Sequence, residues 1–210
     1  MKNAMRIIGK VYVFVFALVA PVLAQSRLVT EPSPAAAGPA FDVGVGYTNL
    51  TMAVPAARHV NLTGLDFSGR VDFNSRWGAM VDSNYVRTSN ILSTPKGGHI
   101  LSFLTGPVFY PVEHGNTRMF VDALAGAGLV GGATPGSNGE YYHGWLLRFA
   151  YAGGGGVEHF VSGPFSVRVS GDYLHTAFYD SVGAVRPQNN MRVTVSLVYR
   201  LAGRRPREVR

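Results

Sequence analysis

From Phe41 to about Arg200 the chain alternates apolar and polar residues with period two, and within that span no apolar stripe is sustained at helical spacing. Such a pattern suits strands, because successive strand side chains point to opposite faces. Eight stretches carry it, at about residues 41–52, 59–73, 76–88, 98–112, 117–131, 143–160, 164–178 and 190–200. Each is long enough to cross a bilayer as a tilted strand of ~9–11 residues. The faces separate well: Leu65, Phe67, Val71 and Phe73 oppose Asp66, Ser68, Arg70 and Asp72. Likewise Val167, Val169 and Tyr173 oppose Arg168, Ser170 and Asp172, and Met191, Val193, Val195 and Leu197 oppose Arg192, Thr194 and Ser196. The pattern predicts an all-β fold: an eight-stranded antiparallel up-and-down transmembrane β-barrel over residues 41–200.

Alternation alone requires one dry and one wet face, and does not say which face meets the surroundings. A secreted soluble lipocalin-like barrel, binding a small apolar ligand, would turn the apolar face inward; an outer-membrane barrel turns it to lipid. Charged residues make up only 15% of the chain, against ~25% in soluble domains, which favours lipid. An aromatic girdle is expected from Phe41, Phe73, Trp77, Tyr110, Phe120, Phe160, Phe165 and Tyr199, which fall at one end once strands alternate in direction. Connections at that end are short, around Asn74-Ser75, Glu113–Asn116 and Ser162-Gly163. The opposite ones are expected to be longer, around Pro55–Arg58, Thr88–Gly97, Gly132–Tyr142 and Tyr179–Asn189. Short periplasmic turns and long outer loops are the asymmetry of this class, and an even strand number sets both termini in the periplasm. The inward parity holds Asp42, Asp66, Asp72, Asp82, Asp122, Glu158 and Asp172 with Arg70, Arg148, Arg168 and Arg192, read as a compensating polar network in a filled lumen. Glu158 and Arg168 flank one tight turn and are expected to meet diagonally across the ladder.

Ahead of the barrel, Lys2, Arg6 and Lys10 precede an apolar run that ends at Val22-Leu23-Ala24. The run is shorter than the ~20 residues of a spanning helix, so residues 1–24 read as a secretory signal peptide cut after Ala24. Residues 25–40 form a flexible Pro/Ala-rich lead-in and residues 201–210 a basic periplasmic tail. The formal charge of +7 lies entirely in the leader and in Arg200, Arg204, Arg205, Arg207 and Arg210 against Glu208. The barrel therefore has no cationic excess, and no nucleic-acid partner is expected. The tail either is solvated or touches anionic headgroups or the cell wall.

Enzymatic chemistry finds little support. Cysteine is absent, the six histidines make no metal-ligand spacing, and no Gly-x-Ser-x-Gly elbow occurs, so no catalytic residue, metal or cofactor is expected. The nearest approach to a lipid-modifying site is His175 with Thr176 and Asp172, but Asp172 has inward and His175 outward parity. The runs Gly126–Gly132 and Gly153–Gly156 are not followed by a helical pattern, which excludes a phosphate loop and leaves curvature as their role.

Six segments in order, FDVGVGY (41–47), SFLTGPVFY (102–110), FVDALAG (120–126), GGGGVE (153–158), VRVSGDY (167–173) and QNNMRV (188–193), resemble the OmpA-like outer-membrane β-barrel domain family in its short, barrel-only members. The resemblance implies a non-enzymatic barrel with a structural or loop-mediated interaction role, set in outer-membrane lipid and meeting an unknown extracellular ligand through its loops. The alternative is a lipid-modifying outer-membrane enzyme. It also implies an assembly signal in the last strand, read by the barrel-assembly machinery, where Tyr199, Leu197 and Arg192 fill the family's aromatic, apolar and polar positions. Thr194 stands where the family usually has Gly, and eleven residues follow Tyr199 where the family ends. With no peptidoglycan-binding domain following, a cell-wall tether of the usual kind is unsupported.

Overall fold

A computed structural model describes residues 39–54, 58–135, 140–181 and 184–202. The expected signal peptide, the lead-in up to residue 38 and the tail from residue 203 lie outside them. The strands are β1 (Ala40–Val54), β2 (Arg58–Asp72), β3 (Trp77–Thr88), β4 (Gly98–Phe109), β5 (Glu113–His114), β6 (Thr117–Pro135), β7 (Tyr141–Ser162), β8 (Phe165–Ser181) and β9 (Ala184–Ala202). Apart from β4 and β5, strands that follow one another in the chain pair antiparallel, β1 pairs with β9, and β4 pairs with β6, which closes the sheet. The two residues of β5 continue β4 beyond Tyr110–Val112 along the end of β6, so the wall counts eight strands. The fold is a closed, eight-stranded, up-and-down barrel.

At one end the connections are tight. Asn74 accepts backbone N–H bonds from Arg76 and Trp77 at 2.8 and 2.9 Å, while Gly115 and Gly163, both at φ 56°, turn β5 into β6 and β7 into β8. A left-handed residue in so short a connection is what glycine tolerates best. This will be called the turn end and the other the hairpin end.

At the hairpin end the expected long loops are mostly strand. Tyr179–Asn189 was expected as a connection, yet Tyr179↔Arg186, Asp180↔Val185 and Ser181↔Ala184 continue the ladder, and Ala133↔His143, Thr134↔Tyr142 and Pro135↔Tyr141 do the same for β6 and β7. Backbone pairing outlasts hydrophobic alternation, because ladder hydrogen bonds do not depend on an apolar face. Leu201 and Ala202, expected in the tail, likewise belong to β9. The residues between β3 and β4 form the one long described connection: Leu92 and Ser93 turn at φ 52° and 63°, Thr94 N–H donates to the Ile91 carbonyl at 3.0 Å, and Ile91 is buried.

Val43, Val45, Leu65, Phe67, Val167, Val169, Val195 and Leu197 stand exposed on the outer wall over the part nearer the turn end, and the buried partners of the same strands are Asp42, Asp66, Ser68, Arg70, Arg168 and Ser196. Toward the hairpin end the order reverses without any change of parity. On β1 and β2 the buried residues become Leu50, Met52, Val54, Val60 and Leu62, and the outward ones Asn49, Thr51, His59, Asn61 and Thr63. The interior was expected to be polar throughout; instead an apolar cluster fills it at the hairpin end, with Val86, Ile91, Ile100 and Val130. Between the two zones runs a layer of neutral hydrogen bonds: Thr194 to Thr48 at 3.0 Å, Asn190 to Thr176 at 2.9 Å and Ser102 to Asn84 at 2.9 Å.

Two glycines of the 153–156 run have a close-packing role rather than only curvature. A Cβ on Gly154 would collide with the Asp172 carboxylate, and one on Gly156 with the β8 backbone and the Phe120 ring. The run clears interior volume for these side chains. Pro107 explains a gap in the closing seam: pairing of β4 with β6 lapses between Thr105↔Ala125 and Val108↔Asp122, where proline has no N–H to give.

Candidate functional site

The most concentrated chemistry lies inside the barrel. Nearest the turn end, Glu158 is the hub of one cluster, contacting Arg118 at 3.3 Å, Arg168 at 3.4 Å and Arg70, and accepting from Ser166 Oγ at 2.6 Å. Asp42 bridges Arg70 at 3.3 Å and Arg168 at 3.0 Å. Asp72 holds Arg118 at 2.7 Å and accepts from the Tyr110 hydroxyl. Three carboxylates thus face three guanidiniums, all buried. Aromatic faces shield the cations: the Arg118 guanidinium lies 4.0 Å from the Tyr110 ring centre, Arg70 5.6 Å and Arg168 5.9 Å from that of Phe120. Desolvated, such contacts are worth up to about 2 kcal/mol each.

The second cluster lies closer to mid-barrel and is built differently. Arg192 alone bridges Asp82 at 2.6 Å and Asp172 at 3.0 Å. Asp82 also accepts from Asn84 at 3.3 Å, and Asp66 from Ser196 at 3.4 Å. Asp122, 8% exposed, has no hydrogen-bond partner on either carboxylate oxygen.

Ten of the eleven expected lumen residues, Asp42, Asp66, Arg70, Asp72, Asp82, Asp122, Glu158, Arg168, Asp172 and Arg192, are buried in these clusters. Arg148 stands apart: it is half-buried opposite Gly128, nearer the hairpin end, and donates to the Leu147 carbonyl at 3.4 Å. Its parity matches the others, but the charged layer ends below its height. Arg118 was missed, although its even position in its stretch, shared with Asp122, could have found it. Glu158 and Arg168 do meet, as direct rather than diagonal partners in the β7–β8 ladder. The expected mutual compensation holds for the first cluster and fails for the second, where four aspartates surround one arginine.

Of the expected girdle, Phe73, Trp77, Phe165 and Tyr199 are exposed, with Phe165 and Tyr199 in edge contact at 5.1 Å, and Phe41 is half-buried with outward parity. Tyr110 and Phe120 are corrections: both are buried inside, as ring partners of arginines. Phe160 has the parity of Glu158 and lies between Arg118 and Arg200, at 5.6 and 4.9 Å. In the expected assembly signal, Leu197 and Tyr199 are exposed on β9, while Arg192 is 2% exposed and engaged by two aspartates. His175 stacks on Tyr151 at 4.7 Å and pairs with Asn189 at 3.0 Å on the outer wall, while Thr176 bonds Gln188 and Asp172 bonds Arg192 inside. His175 therefore shares no face with Thr176 and Asp172. Among the described residues no three His, Asp or Glu side chains converge as metal ligands.

No protein-family model and no curated protein sequence matches the chain. Solved structures do. Neisserial surface protein A superposes with a TM-score of 0.61 at 10% identity, over 77% of this chain and 98% of that one. Ail, the attachment invasion locus protein of Yersinia pestis, superposes with a TM-score of 0.55 at 18% identity, over 79% and 100%. Ail in complex with the heparin analogue sucrose octasulfate gives 0.53 at 18% identity, over 78% and 99%. With an apolar outer wall, an ionic interior and these likenesses, the chain has the fold of the small, OmpA-like eight-stranded outer-membrane barrels.

Proposed function

We propose that this protein is a non-enzymatic barrel of a bacterial outer membrane, which anchors a rigid hairpin crown for contact with external molecules. The observation that carries the reading is the reversal along β1 and β2. Lipid is the medium that favours Val45, Leu65 and Phe67 outside Asp66 and Arg70, and water the one that favours Thr51 and Asn61 outside Leu50 and Leu62. The level between Tyr47 and Asn49 is then the outer boundary of the membrane, and everything beyond it projects from the cell. Both described chain ends lie at the turn end, on the periplasmic side in this reading. Leu197 and Tyr199, outward on β9, are accessible to the barrel-assembly machinery, and the band of exposed aromatics at Phe73, Trp77, Phe165 and Tyr199 marks the inner headgroup level.

The interior supports an anchor rather than a pore. The side chains of both ionic clusters and of the apolar crown are packed to near-complete burial, which supports a filled lumen. The split of His175 from Asp172 supports the non-enzymatic reading over lipid modification. Because Ail is solved with a sulfated heparin analogue, polyanionic glycans are the first external ligands to test on the crown. Fractionation is the primary test. The chain should remain with detergent-extracted outer membranes and should not conduct in planar bilayers. Recovery in the soluble periplasmic fraction overturns the reading.

A further inference from the structure

The second ionic cluster borders a cavity with room for about one water molecule, lined by Asp66, Asp82, Asp122 and Asp172 among others. Its electrostatics do not balance. Arg168, which reaches the same cavity, is committed to Asp42 and Glu158 at 3.0 and 3.4 Å, within a cluster already matched three against three. Arg192 is left to answer four carboxylates and reaches two of them. Asp122 is the exposed flaw in this arrangement: more than nine-tenths buried, lining the cavity, with both carboxylate oxygens unpartnered. Asp66 is 2% exposed and has one oxygen in the same state. An uncompensated buried carboxylate costs several kcal/mol, so the folded barrel gains by acquiring positive charge there.

We infer that this cavity is a buried site for a single small monovalent cation of sodium size, anchored on Asp122. The size of the cavity selects an ion that replaces one water. Ser68, Ser170, Thr194 and Ser196 line the same cavity, and hydroxyls are neutral oxygen ligands of the kind a hard cation prefers. A chelated divalent ion fits less well, because among the described residues no three carboxylates converge on one point. The remaining charge of Asp66, Asp82 and Asp172 acts at longer range to hold the ion against escape. Bound there, the ion is an internal brace between β2, β3, β6 and β8, the strands that carry the four aspartates.

The test uses the full chain folded in detergent micelles, with sodium chloride exchanged for tetramethylammonium chloride at constant ionic strength and at pH 8. Tetramethylammonium is too large for a one-water cavity. With sodium at ten times its dissociation constant, the folded-to-unfolded ratio should rise about tenfold. Asp122→Asn, which keeps the shape and removes the charge, should abolish that dependence. Equal stability in the two salts overturns the site, because protons then neutralise the carboxylates. Sodium dependence that survives Asp122→Asn overturns it as well. If the variant does not fold, sodium-23 line broadening by the unaltered barrel decides the matter: broadening that lithium competes away supports the site, and its absence overturns it.

Discussion

The two halves of the barrel obey opposite rules on one continuous ladder. Toward the turn end the wall is apolar outside and ionic inside; in the crown Leu50, Leu62, Val86 and Ile100 are inside and Thr51, Asn61, Arg87 and His99 outside. Strand parity does not change where the rule does, as Asp42 and Leu50 lie on the same face of β1. A single strand therefore belongs to a membrane protein over part of its length and to an ordinary soluble β-protein over the rest. Two different forces must then hold the two parts together. In the crown, water drives the apolar side chains inward at about 25 cal/mol per Å². In the lower barrel lipid offers apolar side chains nothing by going inward, and hydrogen bonds and ion pairs in a sealed interior specify the core.

The largest effect should come from the hub of the ionic half. Glu158→Gln leaves Arg70, Arg118 and Arg168 without their shared carboxylate, and breaking a buried pair in this way costs about 3–5 kcal/mol. A double-mutant cycle with Arg168→Met should return a coupling above about 0.5 kcal/mol, read from equilibrium unfolding in detergent. Additive effects would show that the charges are separately hydrated. In the crown the equivalent weak point is a cavity. Leu50→Ala, at a site 1% exposed, should cost about 2–5 kcal/mol, whereas Leu65→Ala on the outer wall should cost much less in bilayers.

Outward charge sharpens the contrast next. Val169→Arg should cost about 2–4 kcal/mol toward the midplane and lower the yield of folded barrel in liposomes, and Leu65→Arg, paired with Tyr47 near the outer boundary, should cost less. Thr51→Arg, outward on the crown, should change stability by about 0.5 kcal/mol or less. Equal yields for all three would mean that water surrounds the whole wall, and the membrane reading would fall with it.

Strand number, strand order and face were legible in the sequence because period two is a property of the backbone itself. Segments whose boundaries rest on hydrophobic contrast were less so. Residues 179–189 read as a loop because alternation fades there, yet the ladder continues through Tyr179↔Arg186. Tyr110 and Phe120 match a girdle by residue type, but parity outranks residue type. Phe120 shares its face with Asp122, and that parity alone assigns it to the interior. The reversal at Tyr47 is also written in the sequence, in the exchange of Asp42 and Gly44 for Leu50 and Met52 on one face. Alternation alone hides it, because parity stays constant where the surrounding medium changes. The charge imbalance around Arg192 was not legible in the same way, since the committed partners of Arg168 depend on distances across the lumen.

The smallest predicted effect tests whether height, and not parity, defines the ionic core. Arg148 and Arg168 are both arginines of inward parity, on neighbouring strands, and sequence alone ranks them equally. Arg168 is buried among Asp42, Glu158 and Ser68, in a cluster where three cations balance three carboxylates. Arg148 lies some ten residues from Glu158 along β7, half-buried beside Gly128, and its described bond is to a backbone carbonyl at 3.4 Å. A guanidinium so placed keeps contact with water, where ion pairing and its loss are worth about 0–1 kcal/mol. Arg148→Ala should therefore shift the unfolding free energy by no more than about 0.5 kcal/mol, while Arg168→Met shifts it several times further. A loss at Arg148 as large as that at Arg168 would mean that the ionic interior extends into the crown, and that the boundary between the two halves lies above Leu50 rather than below it.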